Sequence, residues 1–259
     1  MDLGIAGRKA IVCASSRGLG RACAQALAAA GCEVVINGRD AATLEATAAA
    51  LRQATGAKVS TVAADVATAE GQAALFRACP EPDILVNNNA GPPPRDFREL
   101  NRAAILDGVI ANMVAAIELI QKAIDPMVAK KFGRIVNITS GTVKLPQAGL
   151  DLSSGTRGGL SIFLAGIARQ VVGSNVTINN LLPGAFDTDR LATVLGGIAK
   201  RKGVSLADAR AERIASIPAK RIGEPAEFGA ACAYLCSAQA GFVTGQNLLI
   251  DGGAFPGAF

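Results

Sequence analysis

The chain has 259 residues, 50% of them hydrophobic and 18% charged, with a formal net charge of +5. That mixture supports a large apolar core in a single open α/β domain. Histidine is absent, which excludes histidine general bases, His-dependent triads and nearly all catalytic zinc sites. Aromatic residues make up only 4% and the basic residues are dispersed, so no nucleic-acid partner is expected.

The first residues, Met1, Asp2 and Leu3, have no basic region followed by an apolar stretch. No uninterrupted run approaches the roughly eighteen apolar residues of a membrane span. A cytoplasmic protein without a membrane partner is the expectation. Short β-branched runs then follow at residues 10–14, 33–37, 58–65, 83–87, 134–140, 176–181 and 247–251. They read as buried strands. Helical spacing fills the gaps, as in Leu19, Cys23, Ala26, Leu27 and Ala30, or Leu106, Val109, Met113, Ile117 and Ile120. Such alternation predicts right-handed crossovers, and so a doubly wound parallel sheet of about seven strands with helices on both faces, in one domain over 1–259. The pattern breaks over about 185–223, where two weak helical segments, the second opened by a capping-box-like Ser205 and Asp208, predict a substrate lid; a passive excursion is the alternative. Cys13, Cys23, Cys32, Cys232 and Cys236 lie in apolar runs and Cys79 precedes a proline. This spacing fits reduced core thiols and no metal site.

After the first strand comes Ala14-Ser15-Ser16-Arg17-Gly18-Leu19-Gly20. Gly18 and Gly20 would let the backbone approach a pyrophosphate, whose charge the following helix N-terminus favours. A glycine turn that merely closes a strand and helix is the bland alternative. Asn37-Gly38-Arg39 after the second strand offers no carboxylate for a ribose 2′-hydroxyl, whereas Arg39 and Arg17 suit a 2′-phosphate. NADP(H) is therefore preferred over NAD(H). Asp65, followed by Val66, closes the third strand; it can accept from an adenine amino group or cap a turn.

With Asn88-Asn89-Ala90-Gly91, Asn112, Ser140, Pro183-Gly184 with Thr188, Thr244-Gly245-Gln246 and Asp251-Gly252-Gly253 added, the chain resembles the classical short-chain dehydrogenase/reductase family over nearly its whole length. Its pattern looks most like the 3-oxoacyl-carrier-protein reductase branch. The resemblance implies a Rossmann fold, cofactor contacts from the Gly18–Gly20 loop, from Asn89, Ala90 and Gly91, and from Pro183, Gly184 and Thr188, and catalytic roles for Asn112 and Ser140. It also implies a homodimer or homotetramer built on helices near 101–131 and 151–173.

Three positions depart from the family pattern. Ala14 replaces the first glycine of the loop. Thirteen residues beyond Ser140, where a Tyr-x-x-x-Lys should begin, the chain reads Ser153-Ser154-Gly155-Thr156-Arg157. The one tyrosine, Tyr234, lies far along the chain and is expected to serve in packing. A phenol lowered from a pKa of roughly 10 can protonate a developing alkoxide, a contribution of about 10² to 10⁴ in rate. A serine alcohol is far less acidic, and an arginine stays charged, able to hold ribose hydroxyls or an oxyanion but not to relay a proton. Lys144 and Asp151 are alternative donors, with a loop lysine and a helix cap as their plain readings; Arg95 either faces an anionic substrate or is simply exposed. Three functions remain open: an NADP(H)-dependent reductase acting on a small carbonyl or alcohol substrate, possibly a carrier-linked 3-oxoacyl thioester; a non-catalytic NADP(H)-binding or scaffolding protein; and a non-redox lyase or isomerase.

Overall fold

Strand and helix alternate as the apolar periodicity predicts. A computed structural model describes residues 2–258. The first half runs β1 (Lys9–Val12), α1 (Gly18–Ala29), β2 (Glu33–Gly38), α2 (Ala41–Thr55), β3 (Val59–Ala63), α3 (Ala69–Ala78) and β4 (Ile84–Asn87). Then α4 (Arg102–Val109) continues through one π-helical turn at Ile110–Val114 into α5 (Ala115–Ala129), followed by β5 (Gly133–Ile138), α6 (Asp151–Val171) and β6 (Val176–Pro183). The chain closes with α7 (Asp189–Lys202), α8 (Leu206–Ser216), α9 (Pro225–Cys236) and β7 (Asn247–Ile250).

The strands form one parallel seven-stranded sheet in the order β3-β2-β1-β4-β5-β6-β7. The order reverses beside β1, and the carboxyl ends of β1 and β4 therefore flank the crevice where doubly wound sheets take ligands. Central strands are covered on both faces, which is why β1, β4 and β5 are buried almost residue by residue instead of alternating. Leu27, Ile36, Val86, Phe228 and Cys232 belong to the core layer beneath α1, α2 and α9, and Ile11, Leu85, Leu119, Ile135 and Leu164 to the layer beneath α3, α5 and α6. Helices α1 and α9 touch backbone to backbone because residue 229 is glycine: a Cβ there would stand 2.5 Å from the Ala22 carbonyl oxygen. All six cysteines are buried and unpaired.

Four asparagines lie in one row across the sheet. Asn87 donates through Nδ2 to Asn137 Oδ1 at 2.9 Å, Asn137 to Asn180 at 3.0 Å, and Asn180 to Asn247 at 2.8 Å. These pairs are also the registered neighbours of β4, β5, β6 and β7.

The structure corrects two expectations. The continuous helix Arg102–Ala129 is 28 residues long with a mean hydropathy of 1.9 over its most apolar window, enough by length and composition to cross a membrane. Asp107 and Glu118 interrupt the run, which hid it from a search for unbroken apolar sequence. Its α5 part packs Leu119, Ile120, Ala123 and Met127 into the core. Tyr234 does not serve in core packing: it is 44% exposed on α9.

The excursion after β6 forms α7 and α8. Ser205 Oγ accepts from the Asp208 amide at 3.1 Å while its hydroxyl donates to the Asp208 carboxylate at 2.7 Å. This is half of a capping box, because the Asp208 side chain receives the serine hydroxyl. A complete box stands at the start of α9, between Glu224 and Glu227.

Candidate active site

The crevice opens into a cleft of about 580 Å³ that runs from the β1–α1 turn past the ends of β2, β4, β5 and β6 to the inner side of α7. At its start, β1 must turn sharply into α1. Ala14 takes a left-handed conformation with φ +43° and Gly18 one with φ +57°. Alanine at such a φ carries strain that glycine would not. The turn is held by Asn37, whose Oδ1 accepts from the Ala14 amide at 3.2 Å, and by Asn88, whose Nδ2 donates to the Ala14 carbonyl at 3.1 Å.

Gly20 does not face the cleft. It lets α1 settle onto the turn: a Cβ there would lie 2.4 Å from the Ala14 carbonyl oxygen and 2.9 Å from Asn88 Nδ2. Ser15 also points away from the cleft. Fully buried, its hydroxyl donates to the Val12 carbonyl at 2.6 Å and accepts from the Asn37 amide at 3.0 Å. Ser16, which the sequence reading passed over, lies on the wall with Arg17, Gly18 and Leu19. The N-terminus of α1 has neither a capping side chain nor an acidic residue in its first turn, so its first amides remain available to an anion.

Further along the cleft lie Arg39 beyond β2, then Asp65 and Val66 beyond β3. One Asp65 oxygen accepts from the Ala67 amide at 2.9 Å. The turn-cap role is thus real, and the other carboxylate oxygen stays open. Asn89, Ala90 and Gly91 follow on the wall. Asn89 Nδ2 donates to the Ala111 carbonyl at 3.0 Å, tying this loop to the π-helical turn that carries the buried Asn112. Asn112 itself donates to the Gly108 carbonyl at 3.3 Å. The extra residue of a π turn frees such carbonyls, a device common at functional sites. Pro183, Gly184 and Thr188 complete this side of the cleft.

At the end of β5, Ser140 caps a short 3₁₀ turn, and its Oγ accepts from the Thr142 amide at 3.2 Å and the Thr142 hydroxyl at 2.9 Å. With two donors already on its oxygen, the Ser140 proton is left to point outward. Ser153 and Arg157 stand one turn apart on α6 and both border the cleft. The Arg157 guanidinium donates to Ser153 Oγ in a short contact and to the Asn89 carbonyl at 3.5 Å. It presses against Gly91, where a Cβ would meet Nη1 at 3.0 Å. Burial, with a smaller contribution from the positive Arg190, lowers the Arg157 pKa to about 10.

Lys144, Asp151 and Arg95 do not border the cleft. The Lys144 ammonium lies 5.8 Å from the centre of the Phe255 ring. Asp151 is exposed in the first turn of α6 and accepts from the Gly149 amide at 3.0 Å. Arg95 is exposed. The excursion after β6 supplies wall residues that sequence had not singled out, chiefly Arg190, Leu191, Val194, Leu195, Ile198 and Arg213. Their signal, an apolar stripe on α7 with basic residues at its borders, is present in the sequence but weak without the fold.

A glycine turn at the reversal point of a parallel sheet, leading to a serine at the end of β5, defines a Rossmann-type α/β protein. The chain belongs to the short-chain dehydrogenase/reductase family of oxidoreductases, and its residues 13–254 match the family described as enoyl-(acyl carrier protein) reductase. It is 31% identical to the NADPH-dependent reductase BacG of Bacillus subtilis over 95% of this chain and 97% of that protein. To the 3-oxoacyl-[acyl-carrier-protein] reductase FabG of Vibrio harveyi it is 28% identical over 98% of this chain and 99% of that one. The crystal structure of L-sorbose reductase from Gluconobacter frateurii, complexed with NADPH and L-sorbose, superposes with a TM-score of 0.93 at 27% identity, covering 99% of this chain and all of that one.

Proposed function

We propose that this protein is an NADP(H)-dependent oxidoreductase acting on a carbonyl or alcohol substrate, with serine and arginine standing where the family pattern has tyrosine and lysine. The observation that carries the reading is the single cleft joining the uncapped N-terminus of α1 to Ser140, Ser153 and Arg157. Gly18 and Leu19 would hold the pyrophosphate, Arg17 and Arg39 the 2′-phosphate, Asp65 and Val66 the adenine, and Asn89 to Gly91 with Pro183, Gly184 and Thr188 the nicotinamide half. The crowding at Gly20 supports this fit, since only a glycine lets α1 approach the turn closely enough to present its amides. Bound NADPH supplies a hydride.

The chain's own groups do the rest. Ser140 donates its free proton to the substrate oxygen. Ser153, whose oxygen accepts from Arg157, offers its hydroxyl proton to the same place, and the guanidinium steadies negative charge there. Neither serine is acidic enough to surrender a proton as a phenol does, so protonation falls to water and the hydride step is expected to be slow. A second reading, cofactor binding without turnover, rests on that same lack of an acidic group. NADPH oxidation against a panel of ketones that includes a 3-oxoacyl thioester separates the two: no rate above background with any of them refutes the reductase. In that event, Ser153→Tyr combined with Arg157→Lys should generate activity in the intact cleft. Exposed Ile105, Leu106 and Ile110 near the α4–α5 junction and Ile162 and Phe163 on α6 support assembly as a homodimer or homotetramer.

A further inference from the structure

Two arginines in this protein are deeply buried, and they are treated very differently. Arg134 donates to four acceptors: the Ser237 carbonyl at 2.9 Å, the Gly133 and Asn175 carbonyls at 2.8 Å each, and Asn175 Oδ1 at 3.1 Å. It is saturated, as a structural arginine should be. Arg157, 9% exposed, donates only to Ser153 Oγ and, at the long limit, to the Asn89 carbonyl. No carboxylate pairs with it among the described residues, and its nearest charged influence is another cation, Arg190.

Two of the three carboxylates on the cleft wall are already engaged. Asp189 pairs with Arg17 at 3.5 Å. Asp251 accepts from the Gly253 and Phe255 amides at 2.9 and 2.8 Å, and Asp65 belongs to the adenine side. Arg213 of α8 also borders the cleft, half-buried and without an ion pair among the described residues. Arg190 donates only to the Pro92 carbonyl, at 3.1 Å. The cleft wall also carries apolar side chains, among them Leu145, Leu150, Val194, Leu195, Ile198 and Phe255. Ribose hydroxyls can use Arg157 as a donor, but they are neutral and leave its charge uncompensated.

We infer that the substrate is an anion: an oxo acid with an apolar body, whose carboxylate is received by Arg157 and Arg190 inside the cleft. This rests on the reductase reading for the reacting carbonyl and on the unpaired guanidinium groups alone for the charge. A desolvated cation without a partner attracts an anion far more strongly than an exposed one does. The cofactor's phosphates are the other available anions, so the test is made with the cofactor already bound.

Protein saturated with NADPH is titrated calorimetrically with isocaproate and with isocaproamide, which share a body and differ in charge. Isocaproate is expected to bind at least tenfold more tightly. Arg190→Gln should weaken isocaproate at least tenfold and leave both isocaproamide and NADPH binding unchanged; Arg157→Met should weaken isocaproate similarly. Equal binding of acid and amide overturns the inference, as does an Arg190→Gln protein that binds isocaproate like the wild type. In parallel, NADPH oxidation is followed with α-ketoisocaproate and its methyl ester. An ester consumed as fast as the acid overturns the anionic substrate while leaving the reductase intact. Tight isocaproate binding with no rate on either oxo compound or on any member of the ketone panel upholds the anion site and refutes the reductase.

Discussion

Replacing Arg157 by methionine should make the cofactor-free protein more stable while abolishing its turnover. Methionine follows a similar path along the site and removes a charge that is nine-tenths buried. The fall of the Arg157 pKa to about 10 corresponds to a cost on the order of 3 kcal/mol, at roughly 1.4 kcal/mol per tenfold change in a proton equilibrium. Against it stand the two hydrogen bonds that are lost, to Ser153 Oγ and the Asn89 carbonyl, at about 1 kcal/mol each. The net expectation is a gain of about 1 kcal/mol, read as a higher urea midpoint with an unchanged slope. The sign follows from protonation: below pH 8 the guanidinium is charged in both folded and unfolded chains, so the cost is fully present. It is relieved only as pH rises through about 10, where the folded form begins to lose its proton. A loss of about 3–5 kcal/mol would refute the reasoning, because that is the signature of removing one partner from a compensated buried pair.

Three further outcomes can be checked. Gly20→Ala forces a Cβ to 2.4 Å from the Ala14 carbonyl oxygen; the turn must move, and NADPH affinity measured by fluorescence should fall at least tenfold, with a destabilisation of about 1–3 kcal/mol. Arg39→Leu should weaken NADPH about tenfold and leave NADH unchanged, and equal losses for the two cofactors would show that Arg39 does not meet the 2′-phosphate. Ala14→Gly relieves a left-handed residue at φ +43°; the strain of about 1–2 kcal/mol exceeds the entropy that glycine adds to the unfolded chain, so thermal denaturation should show stability equal to or up to about 1 kcal/mol above the wild type.

The doubly wound sheet was legible because its strands are buried on both faces and its helices on one, so each element carries its own periodicity. The glycine turn, Asp65, the Asn89–Gly91 loop and the Pro183–Thr188 segment could be placed because such motifs follow strand ends, and in this fold strand ends meet at one crevice. Ser15 shows where spacing misleads: neighbouring serines look alike in sequence, but the sharp turn buries Ser15 against Asn37 and leaves Ser16 on the wall. The π turn at Asn112 left no trace, since one extra residue in a helix changes no composition. Nor could spacing reveal that Arg134 is saturated and Arg157 is not, because only three-dimensional neighbours tell them apart. The cationic lining that α7 and α8 add to the cleft wall depends likewise on where the fold places them.

The asparagine row across β4 to β7 acts as a ruler for this site. Asn88 and Asn89, Ser140, Gly184 and Asp251 each follow the carboxyl end of one of those four strands, so their relative heights are set by strand register. A slip of one residue would shift a strand by about 3.3 Å and turn every side chain to the opposite face. In an apolar sheet such a slip meets few obstacles, but here it would strand buried amides without partners. The row also has an open end: Asn87 Oδ1 is buried with no hydrogen-bond partner, beside a small cavity that Asn112 and Arg157 also line. The alignment of the strand ends is therefore written into the sheet as a chain of amides whose last link opens on the cavity that Arg157 also borders.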